Sequence, residues 1–445
     1  MVLKLPSQWT MLTSSAVRRT CCVPSRNLGL LARRSRHAGP LAVGADAVHD
    51  LGRFARRDEA RRGAASAPYG LGDGAMLEAP LGSADAAPKQ PSLPALSERR
   101  LQEFLEAEVT HFAAMRRKAL TLADLLHAAE TPRRAAIRVH QEIPKHFAAR
   151  LRQIEELENW TDDPELADIH ARYSESFREM RMTEVEDDLA AFTETVQRLK
   201  ERQKSVLKLV GRSLKSRKQD MDGTFRTIWL DKFLQSRICT EMLTSQYIAI
   251  VNQASKGVHP LTGIVQPECD PAVICRGAAE SARALCFKHM GIKPVVEIEV
   301  RSRRSHAFSY IPLYLHYILL EVFKNSCNAT AMSPTSLSSI NDPMDKPITV
   351  VICSDDHRVA IRISDRAGGI PFDVGEKIWD FGFTGNSAAG DSEAAPTSLA
   401  GFGLGLPLAR LYARYLGGSL SVVSLPEYGV DTYLFLPRIG VDSFH

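Results

Sequence analysis

Apolar residues recur at helical spacing through the first folded half of the chain and then switch to strand alternation. Thr121 precedes Leu122, Leu125 and Leu126 as a start signal for a short helix. From Arg133 to Leu157, Ile137, Ile143, Phe147, Leu151, Ile154 and Leu157 follow at spacings of three to six. Amphipathic segments are predicted over Glu184 to Leu214 and Thr224 to Val251. In the second, Leu230, Phe233, Leu234, Ile238, Met242, Tyr247 and Ile250 form one stripe, as in a helix packed in a bundle. After His259 the period changes. Strands are predicted at Val295 to Val300, Ile348 to Cys353, Val359 to Ser364, Ser419 to Ser424 and Asp431 to Leu436. Helices over Pro271 to His289, Pro312 to Ala331 and Phe402 to Leu416 interleave with them. Polar, small-residue stretches at Ser333 to Lys346 and Ser387 to Ala400 read as lids or disordered insertions.

The 445 residues are too many for one ordinary core. The expected division is 1–45 a targeting segment, 46–95 a linker, 96–257 a helical bundle and 258–440 an α/β domain. Before Asp46 there are seven Lys and Arg residues (Lys4, Arg18, Arg19, Arg26, Arg33, Arg34, Arg36) and no acidic residue, the composition of a mitochondrial transit peptide. Gly63 to Pro94 is too rich in Gly, Ala and Pro to bury a core. With 44% hydrophobic and 24% charged residues and no apolar run of spanning length, no membrane span is expected. The net charge of +4 resides largely before residue 62 and lends no support to a nucleic-acid partner. The 8 cysteines include no C-x-x-C pair, against both a zinc site and a disulfide framework.

Three short motifs carry candidate chemistry. In the helix after Pro312, Glu321 and Asn325 are four apart and share a face, with Lys324 beside them. The amide oxygen of Asn325 suits a magnesium ion bridging phosphates, Lys324 offsets phosphate charge, and Glu321 can take a proton from an attacking hydroxyl. A polar helix face also simply meets solvent, so this motif alone decides nothing. Ser364-Asp365-Arg366-Ala367-Gly368-Gly369 closes a β-branched strand, where Asp365 can accept from an exocyclic amine such as that of adenine; an ordinary Asp-Gly turn looks the same. Gly401-Phe402-Gly403-Leu404-Gly405-Leu406-Pro407 leads into a helix, so backbone N–H groups there can face phosphate oxygens.

Order separates these readings. E-x-x-K-N on a helix, D-x-x-G-G after a strand, Phe383-Thr384-Gly385, then G-F-G-x-G-L-P before a helix resembles the superfamily of gyrase, Hsp90, histidine kinases and MutL. Within it, the Glu321 to Asn325 segment, the Gly401 to Pro407 run and Tyr415-Leu416-Gly417-Gly418-Ser419-Leu420 resemble the mitochondrial 2-oxoacid dehydrogenase kinases. So do Gln141 to Leu151 and Leu230-Asp231-Lys-Phe-Leu-Gln-Ser236-Arg237-Ile in the helical half. The likeness covers roughly Leu96 to Ile439.

This resemblance implies an α+β chain: a helical bundle followed by an α/β sandwich that binds ATP. It implies a protein-serine kinase acting on the E1 alpha subunit of a dehydrogenase complex in the mitochondrial matrix, docked through its bundle on the lipoyl-bearing E2 core and assembled as a homodimer. By the same resemblance, Asn325 holds Mg2+, Asp365 and Gly369 serve the adenine side, and Thr384 with the backbone of Gly401, Phe402, Gly403, Leu404, Gly405 and Leu406 holds the phosphates. Glu321 activates the serine, and Ile378, Asp380 and Phe383 form a K+ site. Tyr317 and the short tail after Leu436 resemble the branched-chain kinase more than the pyruvate kinase. Three positions depart from the family: Asn328 stands for an arginine, Ala367 for a glycine and Gln203 for a histidine. A binding-only relative is the alternative these raise, opposed by the retained Glu321. A histidine kinase is disfavoured because Glu184 to Gly257 contains no histidine.

Overall fold

The structure, a computed structural model, describes residues 98–186, 188–217, 222–302, 306–333, 346–383 and 402–438. The expected transit peptide and linker, most of the two long polar stretches, and Thr384 and Gly401 lie outside these residues.

Helices α1 (Glu98–Ala114), α2 (Leu122–Ala128), α3 (Pro132–Glu155), α4 (Pro164–Met182), α5 (Ala190–Arg202), α6 (Val206–Ser216) and α7 (Gly223–Ser255) build the first half. Thr121 caps α2 as the spacing predicts, its hydroxyl accepting from the Asp124 N–H while the Asp124 carboxylate accepts from the Thr121 N–H. The predicted α7 stripe is buried from Leu230 to Ile250 and packs on α3, where Phe147, Leu151 and Ile154 are buried as expected. Ile137 of the predicted stripe is instead exposed. The segment expected as one helix from Glu184 to Leu214 is two. It breaks after Arg202, whose carbonyl accepts from Arg172 Nη1 at 2.8 Å, and restarts after Ser205.

The second half opens with β1 (Gln266–Cys269), which pairs antiparallel with β3 (Phe308–Tyr310) in a small sheet. Helices α8 (Pro271–Met290) and α9 (Pro312–Met332) pack against each other. The main sheet joins β2 (Val296–Val300), β4 (Ile348–Ser354), β5 (Arg358–Asp365), β6 (Ser419–Leu425) and β7 (Gly429–Pro437) in the order β2-β4-β5-β7-β6. Only the β2–β4 pair is parallel among the neighbours in this sheet. Ile348, Val350 and Ile352 of β4, Val359, Ile361 and Ile363 of β5, and Leu434 and Leu436 of β7 bury one face against the helices, the period-2 pattern of a sheet covered on one side. The last helix, expected from Phe402, begins three residues later as α10 (Gly405–Tyr415). Among the described residues no helix is long and apolar enough to cross a membrane.

Candidate active site

Pro312 starts α9 with its φ already helical, and Leu315, Ile318, Leu319, Val322 and Phe323 bury the helix between α8, α10 and the sheet. Glu321 is thereby carried inside, only 7% exposed. Lys324 Nζ lies 2.8 Å from both carboxylate oxygens and neutralises it. A Cβ built on Gly405 would stand 2.3 Å from Glu321 Oε2, so the missing side chain at the start of α10 is what makes room for this carboxylate. One turn further along α9 both Asn325 and Asn328 are exposed. The sequence-predicted trio is therefore brought together: acid and ammonium paired and largely buried, amide open to solvent.

Asp365 ends β5, 3% exposed. Burial pushes its carboxyl above the usual carboxylate range, while the Ser326 hydroxyl, the backbone N–H groups of Ala367 and Val430, and Arg366 pull the other way. Ser326 Oγ donates to Asp365 Oδ2 at 2.9 Å and the Ala367 N–H to Oδ1 at 3.3 Å. Gly368 and Gly369 take φ of 101° and 76°, whereas Ala367 is not among the positive-φ residues, so the departure from glycine there costs no strain. A Cβ on Gly369 would meet the Leu425 carbonyl at 2.2 Å. The turn is locked onto the β6–β7 hairpin further by the Ile370 N–H donating to Ser424 Oγ at 2.6 Å. Ser326 and Ser424 escaped the sequence reading; Ser326 sits next to Asn325, but nothing in the spacing shows what it faces.

In the glycine run, Gly403 has φ of 62° and accepts at its carbonyl from the Gly382 N–H at 3.1 Å; a Cβ there would strike the Phe383 carbonyl at 2.5 Å. The chain before residue 384 and the chain after residue 401 thus meet. Leu404, at the N-cap of α10, supplies no side-chain acceptor, and Pro407 has no N–H, which leaves Gly405 and Leu406 to offer the first helix N–H groups beside Glu321. Phe402 turns the other way, its ring filling the space above Gly211 of α6 with Lys215 Nζ 5.3 Å from the ring centroid. Ile378, Asp380 and Phe383 lie in and after a single 3-10 turn, where the Asp380 carbonyl accepts from the Phe383 N–H at 3.2 Å. Among the described residues no cluster of three His, Cys, Asp or Glu side chains forms a metal site.

Residues 119–266 match the sequence profile described as mitochondrial branched-chain alpha-ketoacid dehydrogenase kinase. Residues 311–439 match the histidine kinase-, DNA gyrase B-, and HSP90-like ATPase profile. The mitochondrial pyruvate dehydrogenase (acetyl-transferring) kinase of Arabidopsis thaliana is 32% identical over 315 residues, covering 68% of this chain and 84% of that protein. The isozyme 4 kinase of Ictidomys tridecemlineatus is 27% identical over 320 residues, covering 68% and 76%. The mitochondrial pyruvate dehydrogenase (acetyl-transferring) kinase of Drosophila melanogaster is 27% identical over 330 residues, covering 70% and 79%. With the bundle and the ATPase fold in agreement, the chain belongs to the mitochondrial 2-oxoacid dehydrogenase kinases, protein kinases that use ATP.

Proposed function

We propose that this chain phosphorylates a serine of the E1 alpha subunit of a 2-oxoacid dehydrogenase complex in the mitochondrial matrix. We assign it first to the branched-chain complex and second to the pyruvate complex. The profile matched by the bundle favours the first, and the names of the relatives favour the second. In this reading the bundle docks on the lipoyl-bearing E2 core and the kinase works as a homodimer.

One observation supports the chemistry most: the Glu321 carboxylate is held by Lys324 directly beside the start of α10. When bound, magnesium ATP supplies the phosphoryl group to be transferred. Asn325, exposed one turn after Glu321, offers its amide oxygen to Mg2+, a hard cation that takes oxygen ligands. The N–H groups of Gly405 and Leu406 suit phosphate oxygens because a helix start concentrates positive potential. Asp365 accepts from the adenine amine, with Gly369 keeping its turn open. Lys324 compensates negative charge, and Glu321 takes the proton of the serine hydroxyl. Thr384 and Gly401 belong to the phosphate side, and the carbonyls of Ile378, Asp380 and Phe383 to a K+ site.

The test is paired. Wild type, Glu321→Gln and Asn325→Ala are incubated with purified branched-chain and pyruvate dehydrogenase complexes and labelled ATP, and nucleotide affinity is titrated in parallel. Glu321→Gln should keep ATP affinity while incorporation falls about 10²- to 10⁴-fold. Asn325→Ala should lose magnesium-dependent binding and activity together. Equal activity in Glu321→Gln removes Glu321 from the mechanism, and no incorporation by wild type into either complex leaves a nucleotide-binding scaffold.

A further inference from the structure

Asp365 is held from several sides, and one of its partners has no role in the reading above. Ser326 lies on α9 immediately after Asn325 and is 4% exposed, with Asp365 at 3%. Its hydroxyl donates to Asp365 Oδ2 at 2.9 Å, a bond buried at both ends. Its own backbone is steadied one turn on, where Thr330 Oγ1 donates to the Ser326 carbonyl at 2.8 Å. On the other side the Ala367 N–H reaches Oδ1 at 3.3 Å, and a Cβ on Gly429 would meet the Asp365 carbonyl at 2.2 Å, so β7 presses on the same residue. The carboxylate is therefore fixed in its plane by a donor to each oxygen before any ligand arrives.

That arrangement has a chemical consequence. A buried carboxyl that keeps its proton is both donor and acceptor, whereas a carboxylate receiving hydrogen bonds is an acceptor only. A hydroxyl donor on Oδ2 favours the second state. An acceptor-only group pairs with the 6-amino group of adenine and opposes the 6-oxo group of hypoxanthine or guanine, where two acceptors would face each other without a proton between them.

We propose that Ser326 is a positioning residue for base selectivity: its hydroxyl holds Asp365 as an oriented, acceptor-only carboxylate, so that the site takes 6-aminopurine nucleotides and rejects 6-oxopurine ones. This rests on Asp365 being the adenine contact. The group is suited to that service because a serine on α9 ties the base side of the site to the helix that carries Glu321 and Asn325. An amino-to-oxo exchange on the base is thus read through a residue two positions from Lys324.

The test uses the full chain with ATP and ITP, which differ in a 6-amino group against a 6-oxo group with its accompanying N1 proton. Dissociation constants for both are measured by calorimetry in wild type, Ser326→Ala, Ser326→Cys, Ser326→Thr and Asp365→Asn, with thermal denaturation as the folding control. Wild type should bind ATP more tightly than ITP. Ser326→Ala should narrow that ratio about tenfold, the worth of one hydrogen bond to a charged group. Ser326→Cys fills the space with a weaker donor and should narrow it too, which keeps the question answerable if the alanine variant fails to fold. Ser326→Thr keeps the hydroxyl and should restore the ratio. Asp365→Asn, which can donate to a 6-oxo group, should collapse or invert it. If Asp365→Asn leaves the ratio unchanged, the adenine reading itself fails. If Asp365→Asn collapses the ratio but the alanine and cysteine variants leave it intact, or weaken ATP and ITP equally, or threonine fails to restore it, Ser326 only fills space and the proposal is overturned.

Discussion

Replacing Gly405 by alanine is expected to damage phosphoryl transfer far more than folding or nucleotide binding. Gly405 has an ordinary φ, so the added methyl brings no backbone strain. What it brings is contact: its Cβ would stand 2.3 Å from Glu321 Oε2 and 3.2 Å from Cδ, where ordinary contact begins at 3.4 Å. The carboxylate must retreat by about 1 Å, and it has little slack, being 7% exposed and paired through both oxygens with Lys324 at 2.8 Å. A displacement of that size at a reacting group costs about 10²-fold in rate, or about 2.7 kcal/mol of barrier. In the opposite direction, alanine in place of glycine at a helical position favours folding by up to about 1 kcal/mol. The variant should therefore keep its Tm within a few degrees and bind ATP within a few-fold of wild type. Incorporation of labelled phosphate into the E1 alpha subunit should meanwhile fall about 10²-fold. An unchanged rate would refute the reasoning, since it would mean that the position of Glu321 does not matter to the chemistry.

Two further outcomes concern the bundle. Gly211→Ala should place a methyl 2.7 Å from Cγ of the Phe402 ring, a rigid neighbour that cannot yield as a chain end does. Overpacking of about 1–3 kcal/mol is expected in urea unfolding, and Phe402→Ala in the same chain should recover much of it. His146 is buried with Nε2 unpartnered among the described residues, its Nδ1 3.1 Å from Ser236 Oγ. Burial first, then the cations of Arg150, Arg117 and Lys145, drive its pKa down to about 3. Since the folded pKa lies below the unfolded one, the stability it contributes is full above about pH 6.5 and is lost as pH falls towards 3, at up to about 1.4 kcal/mol per pH unit. His146→Gln should flatten that loss between pH 7 and pH 4.5, and equal slopes for variant and wild type would show that the proton enters elsewhere.

Local signals announced most of this fold, and what they missed is either too short to register or set by residues far along the chain. Thr121 with Asp124, the α7 stripe and the alternation in β4, β5 and β7 are read from neighbours a few residues apart, which is why they are legible. Asp163 and Pro164 start α4 by an equally plain signal, an aspartate at the N-cap followed by proline at N1, which the reading passed over. Helix α1 is dominated by charge, and β1 and β3 are four and three residues long, too short for a period to register. The α5–α6 break was illegible for a different reason: the group that takes the Arg202 carbonyl is Arg172, thirty residues away. The site divides the same way. Glu321, Lys324 and Asn325 share one helix face and could be grouped from their spacing, whereas the Ser326 to Asp365 bond spans thirty-nine residues and exists only once α9 lies on β5.

Contacts between the two halves include some on elements that also carry the candidate site. Phe402, in the glycine run, sits on Gly211 of α6. Tyr412 of α10 packs against Tyr314 and Tyr317 of α9, with ring centroids 4.8 and 5.1 Å away. Burial, and for Tyr317 the neighbouring Glu321 charge, hold the hydroxyls of Tyr314 and Tyr317 well above the usual phenol range. The Arg237 cation from α7 acts on both in the opposite sense, which places a bundle charge within electrostatic reach of the residue one turn before Glu321. Tyr415, at the end of α10, is hydrogen-bonded to Cys239 of α7. Helix α10, eleven residues long, therefore begins beside the Glu321 carboxylate and ends on the bundle. The Cys239 contact and the close approach to Glu321 thus lie at opposite ends of one short helix. Phe402 likewise connects the glycine run to α6. Elements of the candidate site are thus tied to the bundle twice, through α10 at Tyr415 and through Phe402 on Gly211.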